Sequence, residues 1–215
     1  MGHAKKVITI HVQNDREKEE FLREVGRLNL PAFIYVHGKL DSLKVNVQGT
    51  KGEIRDAVSK IMAIHSRVRA RLYPDRRGLY RYSPDDLFRE VGVSVPPTSL
   101  VRTLELLGET VELNGETGEI RTSLPWIEAV ELVRKLGDVL SEISLRSTRQ
   151  IREVVLPVSV ARGIDPDELL ETLVELGLAE WKEDKFKYEL VKNKEQAMEE
   201  LLAYLSREEG KEDED

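Results

Sequence analysis

Residues 65–82, with the sequence His-Ser-Arg-Val-Arg-Ala-Arg-Leu-Tyr-Pro-Asp-Arg-Arg-Gly-Leu-Tyr-Arg-Tyr, mark the point at which the chain changes character. This basic stretch holds six arginines, three tyrosines and one acid, Asp75. Arginine presents a planar, permanently charged fork to phosphate, and tyrosine offers a ring on which a base can stack. The basic stretch is therefore predicted to contact RNA. The alternative is a solvated helix end followed by a linker.

Charge divides the chain into two unequal parts on either side of this point. Residues 1–82 carry 17 Lys and Arg against 9 Asp and Glu, a balance of +8. Residues 83–215 carry 16 basic and 31 acidic residues, a balance of −15, and the two balances sum to the net charge of −7. Such asymmetry predicts that the first part meets a polyanion and that the second part does not.

The composition sets the class of protein. A hydrophobic content of 40% with 34% charged residues is typical of a globular protein. The chain contains no cysteine, which excludes disulfides and cysteine-ligated metal sites. No apolar run approaches the roughly 20 residues of a membrane helix, and no signal-peptide core is present, so we expect a cytoplasmic protein without a membrane partner. Many Glu, Lys and Arg with few Asn and Gln suit a thermophile.

The residues that precede the basic stretch predict the element order β-α-β-β-α. Residues 6–12 are β-branched and apolar, which indicates a strand. Asn14 or Asp15 can cap the helix that follows, and Pro31 ends it. Residues 32–37 and 42–48 then form the two arms of a hairpin, which turns over residues 38–41. Thr50 and Glu53 complete the pattern as a capping box that opens the second helix.

Alternation along the predicted strands gives the sheet two faces. The face packed on the helices is predicted to contain Ile8, Ile10, Val12, Ile34, Val36, Leu43, Val45 and Val47. The other face is predicted to show Thr9, His11, Phe33, Tyr35, His37, Lys44 and Asn46. An open sheet face that mixes aromatic rings, histidine and lysine suits the stacking of single-stranded bases. The alternative is that a third layer or a second subunit covers this face.

The sequence of this first part resembles known protein families in two ways. The sequence of residues 45–58, Val-Asn-Val-Gln-Gly-Thr-Lys-Gly-Glu-Ile-Arg-Asp-Ala-Val, is similar to the last strand and helix of KH domains. Residues 49–52 also have the Gly-x-x-Gly spelling, but in KH domains that loop joins two helices, whereas here it joins a strand to a helix. The clamping role of the KH loop therefore does not carry over, and the resemblance implies a KH-like topology only.

The second resemblance covers the whole chain. Its length, its order and the sequences of residues 45–52 and 67–73 (Arg-Val-Arg-Ala-Arg-Leu-Tyr) resemble an uncharacterised archaeal protein family of unknown function. This resemblance implies an archaeal source and no established activity. It supplies no catalytic residues.

The acidic part of the chain contains a repeat. Residues 87–108 match residues 156–177 at an offset of 69, for example Thr103 with Thr172 and Gly108 with Gly177. Each copy predicts two helices with proline at the start of the second and glycine at its end. A hairpin is predicted after each copy, in residues 110–122 and 179–191, so both copies resemble winged-helix domains. Longer helices are predicted for residues 126–143 and 195–205.

The predicted fold class is therefore α+β, with a KH-like β-α-β-β-α domain followed by two winged-helix-like repeats. The predicted domains are a basic KH-like domain (1–73), a basic linker (74–82), the first repeat (83–145), the second repeat (146–206) and an acidic disordered tail (207–215).

The charges argue against duplex DNA as the partner of the two repeats. The second helix of copy two carries four carboxylates and no basic residue over residues 167–176, and that of copy one offers Arg102 against Glu105. Duplex DNA presents one phosphate charge per roughly 1.7 Å, so neither helix suits its major groove. Winged helices also serve as protein-binding blocks, and we expect that role here.

No catalytic pattern is found in the sequence. The four histidines, His3, His11, His37 and His65, lack metal-ligand spacing. A site formed by His11 and His37 on neighbouring strands is the weaker alternative. Phosphate loops, nucleophile elbows and dinucleotide fingerprints are missing, so we expect no enzyme activity and no cofactor.

The function predicted from the sequence is that of a non-catalytic RNA-binding adaptor, associated with the ribosome or translation. It would bind RNA, such as ribosomal RNA, through its basic part and basic proteins through its acidic part. The alternatives are a winged-helix DNA-binding transcription regulator and a homodimeric structural protein. The predicted RNA-contacting residues are Tyr35, His37, Lys44, Lys60, Arg67, Arg69, Arg71, Tyr73, Arg76, Arg77, Tyr80 and Arg81. A secondary basic patch is predicted at Arg146, Arg149 and Arg152, spaced by three on one helix.

Overall fold

The computed structural model describes residues 4–30, 32–38 and 41–212, and the chain divides into two compact units, residues 1–81 (unit 1) and 82–215 (unit 2). The predicted helix stop at Pro31, the hairpin turn at residues 39–40 and His3 lie outside the described residues. The predicted basic linker, residues 74–82, falls at the division between the units.

Unit 1 is a three-stranded antiparallel sheet covered on one side by two helices. Its elements, in chain order, are β1 (Ala4–His11), α1 (Asp15–Gly26), β2 (Phe33–Gly38), β3 (Ser42–Gly49) and α2 (Lys51–Leu72). The strand order is β1-β3-β2, so β3 lies in the centre and both β1 and β2 are edge strands. The observed element order is the predicted β-α-β-β-α.

Side-chain caps fix where both helices of unit 1 begin. The Asn14 side chain accepts a hydrogen bond from the Glu17 amide at 2.9 Å and starts α1. Thr50 and Glu53 form the predicted capping box, in which the Thr50 amide donates to the Glu53 carboxylate at 2.7 Å and the Glu53 amide donates to Thr50 Oγ1 at 3.4 Å. These bonds satisfy amide groups that have no partner within the helix.

The core of unit 1 lies between the sheet and the two helices. All eight sheet residues predicted for this face belong to it: five are buried, and Ile8, Ile34 and Val36 are partly buried against them. The helices contribute Phe21 and Val25 from α1 and a long stripe from α2. The helices therefore occupy one sheet face only, and the opposite face is left to solvent within this unit.

Unit 2 consists of two similar groups of elements. The division of the chain falls within strand β4 (Tyr80–Tyr82), which belongs to a sheet of order β4-β6-β5. The first group is α3 (Pro84–Val91), α4 (Pro97–Leu106), β5 (Val111–Leu113), β6 (Ile120–Thr122) and α5 (Trp126–Ile143). The second group is α6 (Arg149–Arg162), α7 (Pro166–Glu175), β7 (Ala179–Lys182), β8 (Lys187–Leu190) and α8 (Lys194–Glu212).

The sequence repeat is also a structural repeat. Helices α4 and α7 begin and end 69 residues apart. Both are followed by a glycine with positive φ, Gly108 at 80° and Gly177 at 69°. The residue after each glycine closes the helix end in the same way: the Glu109 amide donates to the Leu104 carbonyl at 3.0 Å, and the Leu178 amide donates to the Leu173 carbonyl at 2.8 Å.

The end of the chain differs from the prediction. A disordered tail was expected from residue 207, but α8 continues to Glu212, and only residues 213–215 lie outside the described part. Arg162 Nη1 binds both oxygens of Glu209, at 2.9 and 2.8 Å. This forked ion pair holds the acidic end of α8 against α6, a long-range contact that the local composition could not predict.

Within the described residues the fold is thus a mixed α+β one, with small antiparallel sheets and eight α-helices. No helix in that part of the chain is both long and apolar enough to cross a membrane.

Candidate nucleic-acid interface

The uncovered side of the unit 1 sheet, called here the open sheet face, is built of three cross-strand rows. The strand register aligns one residue from β2, one from β3 and one from β1 in each row. The rows are Phe33–Gln48–Lys5, Tyr35–Asn46–Val7 and His37–Lys44–Thr9. Because residues on one face of a strand repeat every second position, the rows lie about 6.6 Å apart.

Strand β2 gives the open sheet face a column of aromatic rings. Phe33 is 67% exposed and Tyr35 is 57% exposed, and His37 beside them is also exposed. The rings of Tyr35 and His37 stack, with their centroids 5.7 Å apart and an angle of 30° between the planes. Large apolar side chains with this exposure on neighbouring positions form a surface suited to a planar ligand.

The charge of the open sheet face has one sign. Lys5 and Lys44 are exposed on it, and strands β1, β2 and β3 contain no aspartate or glutamate at any position. This is unusual in a chain with 40 acidic residues. Carboxylates repel phosphate, so an acid-free face with two lysines favours an anionic ligand.

Asn46 is less exposed on the open sheet face than the sequence predicts. It points to the open side but is only 7% exposed, because it sits on the central strand between Tyr35 and Val7. Its Nδ2 atom lies 3.4 Å from Nδ1 of His37. A bond donated by Asn46 across this distance requires the His37 tautomer that carries its proton on Nε2. Asn46 therefore positions the His37 ring.

Arg71 is not at the surface, contrary to its predicted role in binding RNA. It is 1% exposed, and its Nη2 atom forms ion pairs with Glu20 and with Glu24, the latter at 3.5 Å. Both carboxylates come from α1, so this arginine joins the two helices. A guanidinium surrounded in this way cannot reach phosphate.

Arg69 and Tyr73 are held by the same helix pair. Arg69 Nη1 lies 3.5 Å from Glu17 Oε1, and its guanidinium carbon lies 5.5 Å from the centre of the Tyr73 ring. The Tyr73 hydroxyl donates to Glu17 at 2.9 Å and accepts from Asn14 at 3.1 Å. Burial and the bond to Glu17 raise the pKa of Tyr73 above its ordinary value. These side chains connect the end of α2 to the start of α1.

Lys60 and Arg67 remain on the outside of α2, exposed and half-buried respectively. Helix α2 packs on the opposite side of the sheet from the aromatic column. These two cations therefore lie in a different layer of unit 1 from Tyr35, His37 and Lys44, and one short ligand cannot contact both layers.

The predicted linker contains an ordered turn. The Asp75 amide donates to the Leu79 carbonyl at 2.9 Å, and an Asp75 carboxylate oxygen accepts from the amides of Arg77 and Leu79 at 2.8 and 3.1 Å. Gly78 supplies the positive φ of 78° that the turn requires. Arg76 and Arg77 are exposed on this turn, while Tyr80 and Arg81 are half-buried.

The secondary basic patch does not lie on one helix as predicted. Arg146 ends a 3-10 turn, and the extended backbone of Ser147 separates it from α6, where Arg149 and Arg152 lie. Arg146 pairs with Asp167, and Arg149 pairs with Glu153 at 2.9 Å. Arg152 Nε donates to the Thr148 carbonyl at 3.3 Å. The partners from α7 and α6 neutralise much of the predicted patch.

The metal alternative does not fit the sheet. His11 and His37 lie on the two edge strands with β3 between them, so they are not on neighbouring strands. Among the described residues, no group of three or more His, Cys, Asp or Glu could hold a metal ion.

Sequence reasoning placed Phe33 on the open sheet face but did not count it among the RNA-contacting residues, and it left out Lys5 and Val7. The signal that could have found them is the alternation of β1 and β2 combined with the complete lack of acids in the three strands. The register that joins these residues into rows depends on the strand order β1-β3-β2.

The class of protein is thus a two-unit α+β protein whose first unit has an acid-free open sheet face. The chain belongs to a family described as "uncharacterized protein conserved in archaea" (DUF2067), whose model matches residues 10–199. No curated protein matches the chain. The crystal structure of a protein of unknown function from Aeropyrum pernix is similar over 80% of this chain and 99% of that one, with 16% identity and a TM-score of 0.21. That TM-score is too low to support an argument about fold.

Proposed function

We propose that this protein is a non-catalytic RNA-binding adaptor that holds single-stranded RNA on the open sheet face of unit 1. The observation that carries the proposal is the column of Phe33, Tyr35 and His37 beside lysines on a face without carboxylates. The setting we propose is the ribosome or another part of translation in the cytoplasm. Unit 1 would act as a KH-like module and unit 2 as a pair of winged-helix-like protein-binding blocks.

The aromatic column would supply most of the affinity. Stacking of a base on an aromatic side chain contributes about 1–3 kcal/mol and tolerates every base, because each base has a π-face. Lys5 and Lys44 would pair with phosphates, which makes binding dependent on salt. The Gln48 amide, in the row of Phe33, would donate to or accept from a base edge.

The outer cations of α2 and the turn would act at longer range. Lys60 and Arg67 lie on α2, on the covered side of the sheet, and Arg76 and Arg77 are exposed on the turn; all four would raise the rate at which RNA arrives. Arg71 would contribute only to the stability of the unit.

The DNA alternative has less support. The exposed cation of α4, Arg102, already pairs with Glu105 at 2.9 Å, and α7 carries Asp167 and Glu168 in its first turn. One observation supports the homodimer alternative: the exposed side chains of Phe33 and Tyr35 would also suit an interface between two copies of the chain.

The experiment is a fluorescence anisotropy titration of a labelled single-stranded RNA oligonucleotide at several salt concentrations. The variant Phe33→Ala/Tyr35→Ala/His37→Ala should weaken binding at least tenfold, because it removes three stacking surfaces. Phe186→Ala is the matched control, since this phenylalanine of unit 2 is 72% exposed and should not affect RNA binding. Unchanged affinity of the triple variant would refute the proposal. A stable dimer in sedimentation that dissociates in the triple variant, with no RNA affinity in the wild type, would instead favour the homodimer.

A further inference from the structure

Unit 2 contains a groove of about 590 Å³ that runs along one side of α4. From α4 it is lined by Pro97, Thr98, Val101, Arg102 and Glu105, positions that recur over two helical turns. Along the helix axis this stripe is about 12 Å long. The hairpin of β5 and β6 and the first turn of α8 also line the groove. Its shape is therefore that of a trough beside a helix.

The groove exposes apolar surface. Val101 of α4 is only partly buried, and Leu113 at the end of β5 is 57% exposed. Met198 of α8 forms part of the wall of the groove but is only 6% exposed, so Val101 and Leu113 supply most of the apolar surface that a ligand could cover. An apolar trough between helices is the arrangement that accepts the apolar side of an amphipathic helix, whose anchors repeat at three or four residues.

The charges along the groove are predominantly negative. Among the described residues that line it are four carboxylates, Asp85, Glu105, Glu153 and Glu195, and two cations, Arg102 and Lys194. Both cations are already engaged, Arg102 with Glu105 at 2.9 Å and Lys194 with Glu153. The excess of two negative charges lies in a part of the chain whose own balance is −15. A ligand that complements this groove must therefore be positively charged.

Glu153 strengthens this assignment. It is 8% exposed, and burial alone would raise its pKa, but hydrogen bonds from Lys194 and Arg149 lower the pKa below its ordinary value. The carboxylate therefore stays ionised at neutral pH and keeps Lys194 paired, so the negative charge that faces a partner is that of Asp85, Glu105 and Glu195.

We propose that this groove binds a basic amphipathic helix of a partner protein. The inference rests on the proposed adaptor function, because it names the chemistry and the docking site of the protein partner. RNA would be repelled by the same carboxylates, so the two ligands of the adaptor would use different surfaces. The apolar side of the partner helix would cover Val101 and Leu113, and its lysines or arginines would meet Asp85, Glu105 and Glu195.

The test uses the full chain and a labelled synthetic helix of about four turns made of leucine and lysine, with leucine at every third or fourth position. Its control is the same helix with every lysine replaced by glutamate. Binding is followed by fluorescence anisotropy without RNA. The wild type should bind the lysine helix and should not bind the glutamate helix.

Variants locate the binding site. Leu113→Ser and the double variant Glu105→Lys/Glu195→Lys should each weaken binding at least tenfold, because they remove apolar contact or reverse charge. Leu145→Ser and Glu128→Lys/Glu142→Lys are matched controls, since these exposed residues do not line the groove, and they should alter binding less than about twofold.

If the control variants weaken binding as much as the groove variants do, the lysine helix does not bind specifically in the groove, and the proposal is overturned. Binding that survives both groove variants would also overturn it. The two binding activities can be tested separately. The groove variants should keep their affinity for RNA. The triple variant of the open sheet face should keep its affinity for the lysine helix.

Discussion

The open sheet face and the end of α2 both carry side chains that are common in RNA-binding surfaces, but unit 1 uses them in opposite ways. In the last turn of α2 and just after it, Arg69, Arg71 and Tyr73 contact carboxylates or ring surfaces inside the unit. On the open sheet face, Phe33 and Tyr35 are more than half exposed, and the strands offer no carboxylate. Some arginines of the basic stretch therefore stabilise unit 1 and are not free to bind a ligand. The candidate site lies instead on the three strands, which contain few charged residues.

The density of cations in a sequence therefore does not measure the density of cations at a surface. An arginine in a helix that packs against a second helix can be neutralised by acids on the partner, as α1 does with Glu17, Glu20 and Glu24. A strand without acids has no such internal partner on its own sheet.

The largest expected effect tests the structural role of Arg71. Arg71→Met should destabilise unit 1 by about 3–5 kcal/mol, because it removes the buried cation that joins α2 to Glu20 and to the buried Glu24 of α1. Hydrogen exchange of the α1 and α2 peptides in full-length protein should show this loss.

Arg67→Met is the matched control on the same helix, since Arg67 is half-buried at the outer surface of α2. Its effect should stay within about 0.5 kcal/mol. Equal destabilisation by the two variants would show that Arg71 is not the special residue of this helix pair.

A smaller effect should follow when a carboxylate is placed on the acid-free face. Thr9→Glu would put a negative charge in the row of Lys44 and His37, and it should cost about 1 kcal/mol of RNA binding, roughly a fivefold loss. Ser59→Glu makes the same change on the exposed side of α2, in the other layer. Anisotropy titration should show a clear loss for Thr9→Glu and a weaker one for Ser59→Glu. The reverse order would move the RNA site to the helices.

The smallest expected effect is a loss of stability of unit 2 in acid, which the acid-free open sheet face does not share. The lowered pKa of Glu153 means that its contribution to stability is present above the ordinary value of 4.5 and is lost as the pH falls through the folded value. The urea midpoint of tryptophan fluorescence should therefore fall in acid, and it should fall less in Glu153→Gln. The effect is modest because burial of the carboxylate offsets much of the pairing. An identical acid sensitivity in the variant would contradict this role.

Much of unit 1 could be predicted from local sequence. Alternation of apolar residues placed all eight sheet residues of the core, and the Thr50–Glu53 spacing predicted the observed capping box, because both signals act over a few residues. The repeat in unit 2 was visible for the same reason, since equal helix ends leave proline and glycine at equal spacing.

What could not be predicted depends on distant residues. Arg71 meets carboxylates 51 and 47 residues earlier in the chain, and Arg162 meets Glu209, 47 residues later. These pairs decide that one arginine is buried and that the acidic tail is helical through Glu212. Similarly, the strand order separates His11 from His37, and no local pattern states that order.

RNA is expected to lie on the open sheet face rather than on the basic stretch. Ultraviolet crosslinking of the wild-type protein to a single-stranded RNA, followed by mass spectrometry of the joined peptides, distinguishes these two surfaces. We expect crosslinks at Phe33, Tyr35 or His37 in strand β2. Crosslinks confined to residues 67–81, with none on the three strands, would refute this placement of the RNA.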